Sequence, residues 1–105
     1  MRFVMKVTIP NKYGNDLLKD PKKFGSTMQE LLAGAKAEAA YFTTFCGNRG
    51  GYIVVNIDNA SQIPAIAEPF FFALHADIDW LPVMTPEDLG KGLPAVEAAL
   101  KKWGK

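Results

Sequence analysis

A single cysteine, Cys46, stands in the 105 residues, which excludes an internal disulfide and leaves the fold to depend on its core. There is also only one histidine, His75. With one distant cysteine and scattered acids around it, no metal-ligand spacing is present, so neither a metal nor a cofactor is expected. Charge of one sign is not in excess: Lys+Arg 12 against Asp+Glu 11 leaves a net +1. No global field draws the chain to nucleic acid or to an anionic membrane, and neither is an expected partner. No apolar run approaches the ~20 residues needed to span a bilayer. The opening MRFVMKVTIPNK lacks a long apolar stretch and a small-residue cleavage site, so the cytoplasm is the expected location. Low-complexity tracts, linkers and strong repeats are missing as well.

What is present is the balance of an ordinary globular protein, 49% hydrophobic and 22% charged, with length for one domain over residues 1–105. Arg2 to Ile9 alternate, Phe3, Met5, Val7 and Ile9 against Arg2, Val4, Lys6 and Thr8, as a half-buried strand does. Pro10 to Asn15 has turn composition. Asp20-Pro21 then supplies an N-cap and a first-turn proline, and the spacing of Phe24, Met28, Leu31, Leu32 and Ala35 predicts a helix over Pro21 to Ala37. Ala40 to Cys46 and Tyr52 to Asp58 read as two strands joined in a hairpin by Cys46-Gly47-Asn48-Arg49-Gly50-Gly51.

A second helix carries Ile63, Ile66, Ala67, Phe70, Phe71 and Leu74 on one wide stripe, with Pro69 expected to kink or restart it. Asp77 to Met84 is a fourth strand. Thr85-Pro86-Glu87-Asp88 then opens a last helix, restarted at Pro94, whose Val96, Ala99, Leu100 and Trp103 form another apolar stripe.

The order β-α-β-β-α-β plus a C-terminal helix is an α+β, ferredoxin-like plan with a four-stranded antiparallel sheet. Right-handed crossovers give the strand order four, one, three, two. Two helices cover one sheet face. On the other face Val4, Val54, Leu81 and Val83 are too apolar for plain solvent, which predicts a homodimer packed sheet to sheet, with the last helix reaching towards the second copy and higher assembly open.

This order over Arg2 to Met84, with Glu68-Pro69, the strand from Asp77 and the Pro82-Val83-Met84-Thr85-Pro86-Glu87-Asp88 ending, resembles the dimeric α+β barrels. Within them it is similar to the muconolactone-isomerase-like and uncharacterised small bacterial domains. The resemblance implies the barrel fold and dimer, and it leaves activity open among cofactor-free monooxygenases, isomerases, haem-degrading enzymes and proteins without known activity. Haem degraders of this fold resemble one another in an Asn on strand one, together with a pocket Trp and His. Here strand one has no Asn, and only His75 and Trp80 echo that set.

If strands one and four pair Thr8 with Asp77, Lys6 faces Asp79 beside Asn56 and Tyr52. The functional reading makes Asp79 an acid or base tuned by Lys6; the structural one is a cross-strand ion pair of ~0.2–1 kcal/mol. His75 is a candidate base near neutral pH, or simply a residue favourable at a helix C-terminus. Cys46 is a nucleophile only if a cation such as Arg49 stabilises its thiolate, and otherwise a small apolar residue. The glycine-rich hairpin opens no helix and is not a phosphate loop. Phe70 and Phe71 belong to the core stripe, whereas Phe72 falls off it. The lysines at 12, 19, 22 and 23, diluted by Asp16 and Asp20, read as a solvated face.

The sequence reading is therefore a homodimer that binds a small aromatic or carboxylate-bearing metabolite, between sheet and helices or in the barrel. Its candidate ligand-binding residues are Lys6, Tyr41, Tyr52, Asn56 and Trp80, and its candidate catalytic residues are His75 and Asp79. A cofactor-independent isomerase or monooxygenase, and an interaction module without ligand, are the alternatives.

Overall fold

The computed structural model describes all 105 residues. The elements run β1 (Arg2–Ile9), α1 (Asn11–Leu17), α2 (Pro21–Gly34), β2 (Ala39–Phe45), β3 (Asn48–Asn56), a 3-10 turn (Ala60–Gln62), α3 (Ile63–Leu74), β4 (Asp77–Pro82) and α4 (Pro86–Trp103). The sheet is antiparallel throughout with order β2-β3-β1-β4, the order expected from right-handed crossovers. Its register is also the expected one: Thr8 stands opposite Asp77 and Lys6 opposite Asp79.

Strand alternation divides the side chains of the sheet. Met5, Val7, Ile9, Ile53 and Val55 point under the helices and are buried, with Met28 and Leu31 of α2 and Ile66, Phe70 and Leu74 of α3 closing the core above them. This one layer of helix on one layer of sheet buries only one face of the sheet. No helix is long and apolar enough to cross a membrane.

Several local expectations are corrected. Residues 11–17 form a helix instead of a loop, because tertiary contacts hold a segment of loop composition: the Asn11 N–H donates to Asn48 Oδ1 (3.0 Å) and its Nδ2 donates to Gly47 O (2.8 Å). The first long helix stops at Gly34, and Lys36 takes a left-handed φ of 51°. The hairpin turn is two residues, Cys46 (φ 49°) and Gly47 (φ 82°), both left-handed as a type I′ turn requires. Strand three therefore begins at Asn48, and Arg49 belongs to it. Pro69 and Pro94 lie inside continuous helices. The fourth strand ends at Pro82, short of the expected Met84, with one further bond from the Val83 N–H to Arg2 O (3.1 Å); on an edge strand the missing N–H of Pro82 faces away from β1.

α4 stands apart. None of its residues is buried, and it makes no extensive packing with any element of its own chain. The radius of gyration is consequently 17.5 Å, against about 13 Å for a compact chain of ~100 residues.

Candidate functional site

Two surfaces compete as sites. The open sheet face holds Lys6, Tyr41, Tyr52, Asn56 and Asp79, five of the seven residues singled out above. Trp80 is not with them. Asp77 and Asp79 occupy the open face, so alternation sends Ile78 and Trp80 to the helix side, where Trp80 meets Phe3 edge to face at 5.5 Å. His75 is also elsewhere: it caps α3 in a left-handed conformation (φ 52°) and stacks on Tyr13 at 4.5 Å between ring centroids.

Nor do Lys6 and Asp79 form an ion pair, although they face one another. The four ion pairs of the chain are Arg2–Glu38, Lys19–Asp16, Lys91–Glu87 and Lys101–Glu97. The Lys6 ammonium lies over the Phe45 ring at 4.7 Å from its centre, and Phe45 in turn meets Tyr52 edge to face. An aromatic face holds a cation without a carboxylate's desolvation cost, which explains the choice. Asn56 Oδ1 is used as well, accepting from the Met1 amino group (2.8 Å). Beside the exposed Asp77 and Asp79, neither of which forms an ion pair, this face presents apolar and aromatic side chains: Tyr41 is 71% exposed and Leu81 48%, with Val4 and Val54 half-buried.

The second surface is a pocket of about 250 Å³ on the helix side, under the β2–β3 end of the sheet. Its floor is Val7, Ile9, Gly51 and Ile53; Phe24 and Met28 of α2 and Leu18 form one wall and Phe42 of β2 the other. The pocket exists because Gly51 adds no side chain to the floor and Phe42 sits on an edge strand that neither helix covers. At one end is Arg49, its sole charged lining residue. Arg49 Nη1 donates to Asn11 Oδ1 (3.2 Å) and Asn15 Oδ1 (3.0 Å). Gly14 leaves the room for this, since a Cβ there would lie 3.0 Å from Nη1.

Arg49 is the residue that sequence reasoning misplaced. Once the hairpin is read as six residues long, Arg49 becomes a turn residue whose only role is to serve Cys46. Extending the alternation of Ile53 and Val55 back through Gly51 reaches Arg49 and places it on the core face. Cys46 itself is exposed at the turn. No three His, Cys, Asp or Glu side chains converge as a metal site would require.

Among curated proteins no match to this chain is found. Residues 1–97 match the family described as Domain of unknown function (DUF3303), and the chain, matched over nearly its whole length, belongs to that family.

Proposed function

We propose that this chain is a subunit of a homodimer of the dimeric α+β barrel type, and that the dimer binds a small molecule with an aromatic or carboxylate-bearing body. The observation that carries this reading is surface area. The chain exposes 7401 Å², whereas a compact monomer of 11.5 kDa exposes about 5,800 Å², an excess of about 1,600 Å². Two copies that buried this excess would remove about 3,200 Å², within the range of obligate homodimers.

On this reading the excess comes from the open sheet face and α4, both of which expose large apolar side chains. On α4 the exposed residues Leu89, Leu93, Val96, Leu100 and Trp103 recur at spacings of four and three. That is the narrow seam by which one helix packs on another. A second copy satisfies both at once: the sheets meet over Val4, Val54 and Leu81, and each α4 lies along the other chain. Lys6, Tyr41, Tyr52, Asn56 and Asp79 then line the interior between the sheets, and the partly open pocket of about 250 Å³ beside β2, on the opposite face, offers a mostly apolar volume for a ligand.

Mixing uniformly ¹³C,¹⁵N-labelled with unlabelled protein and recording filtered NOEs tests the arrangement. Contacts between protomers are expected from the Val4, Val54 and Leu81 methyls and from Leu93, Leu100 and Trp103. Spectra with no cross-protomer NOE at these residues would overturn it.

A further inference from the structure

We propose that the pocket between β2 and α2 binds a compact monocarboxylic acid, aryl or short-chain alkyl, with its carboxylate on the Arg49 guanidinium. The proposal rests on the small-molecule reading above and names the ligand class and its anchor.

Three observations carry it. The first is the division of the lining: Val7, Ile9, Phe24, Met28 and Phe42 offer only hydrocarbon, and Arg49 is the one charge. A cavity so divided takes a ligand that is apolar along its length and anionic at one end. The second is that Arg49 has no internal counter-ion. None of the chain's ion pairs involves it, and its only hydrogen bonds run from Nη1 to the Asn11 and Asn15 carbonyl oxygens. These amides orient the guanidinium without neutralising it, and Nε and Nη2 remain as a donor pair of the geometry a carboxylate takes bidentately.

The third is that the orientation is fixed from behind. Asn11 Nδ2 donates to Gly47 O, so its oxygen is the atom turned to Arg49, and Gly14 holds the space beside Nη1. Charge also decides between anions. One cation, with the Thr43 hydroxyl as the sole other polar side chain in a mostly apolar lining, suits a monoanion better than a phosphate dianion, which calls for a second positive charge. At about 250 Å³ the site lies below the ~300–1,000 Å³ of drug-sized pockets, which restricts the body to about one ring or a short chain.

The test is a ¹H–¹⁵N titration of the full chain with 3-phenylpropionate, with its uncharged amide 3-phenylpropionamide, and with inorganic phosphate, the sedimentation mass being measured on the same samples. Saturable shifts are expected for the acid at the Phe42, Gly50 and Gly51 amides, with the amide bound at least ~10-fold more weakly, as loss of a charge-assisted hydrogen-bonded pair implies. Arg49→Gln should lower affinity for the acid at least ~10-fold, towards that for the amide.

Equal binding of acid and amide, saturable phosphate binding, shifts that map to Lys6 and Tyr52 on the open face, or no saturable shift at millimolar acid would each overturn the proposal. Should Arg49→Gln fail to fold, the comparison of acid with amide on the unaltered protein still decides. A dimer that binds no acid removes the ligand assignment and leaves the assembly; a monomer that binds it does the reverse.

Discussion

At Gly50 the close approach of β1 and the Phe45 side chain leaves no room for a methyl group: a Cβ would collide with the Val7 carbonyl oxygen and lie 2.6 Å from Phe45 Cδ2. Because the obstacle includes backbone, relief requires the central strands to move apart. Gly50→Ala is expected to destabilise the fold by about 1–3 kcal/mol, as overpacking does, read as a lower urea midpoint at unchanged m-value. An unchanged midpoint would mean that β1 and β3 are farther apart than described. Phe45 also holds the Lys6 ammonium, and this is why the charge pair legible in the register is not formed. A register states which residues face one another across a ladder; it does not state which partner a flexible lysine chooses. Asp79 loses its tuning cation by the same preference. His75 is likewise explained without chemistry, since its backbone turns α3 into β4 and its ring lies on Tyr13.

Among the elements, β1 and the two core helices are legible because each carries one apolar period over its length, and β2 because it is β-branched and aromatic. Where legibility failed, tertiary contact overrode composition. Asn11–Leu17 contains Gly14 and two asparagines, which read as a loop, yet Arg49 and Asn48 of β3 hold it as a helix. Asn48 to Gly51 is the reverse case, with turn composition but strand geometry, and the pocket beside Arg49 follows from that geometry.

α4 presents the opposite tension. Gly90 and Gly92 each disfavour a helix by about 1 kcal/mol relative to alanine, and Pro94 removes a hydrogen bond. An isolated 18-residue helix of this composition is marginal in water, and the proposed second copy would supply the packing that its seam lacks within the chain.

The start of α4 is nonetheless well built. Thr85 Oγ1 accepts from the Asp88 N–H, and Asp88 Oδ2 accepts from the Thr85 N–H, both at 3.1 Å. The backbone hydrogen bond from Thr85 and then its side-chain bond, with smaller help from Lys91 and Arg2, hold the Asp88 carboxyl below the usual carboxylate range. A depressed folded value means that the cap contributes fully above the unfolded value near ~3.9 and is lost as pH falls through the lower folded one. The Asp88 carboxyl carbon and the Thr85 amide should therefore titrate together below about pH 3.9 in NMR spectra. Titration of Asp88 at or above that range would contradict the cap.

Across the whole molecule, what alternation predicted and what the structure displays meet on the open face. Val4, Val54 and Leu81 are apolar in sequence and uncovered in space, and α4 extends from the body to give principal extents of 58 × 29 × 20 Å. The candidate site was less legible than the fold. Five of its seven residues do share the open face, but Trp80 and His75 belong to the helix side, and the pocket with its anchor Arg49 depends on where β3 begins.

On the proposal above, this surface is an interface between two copies. Sedimentation equilibrium at micromolar concentration tests it most directly. A mass of about 23 kDa, twice the 11.5 kDa chain, is expected for a closed two-fold dimer, and Leu93→Glu with Leu100→Glu should return it to the single-chain mass with loss of α4 helicity. A single-chain mass for the unaltered protein, with α4 still helical, would contradict the account.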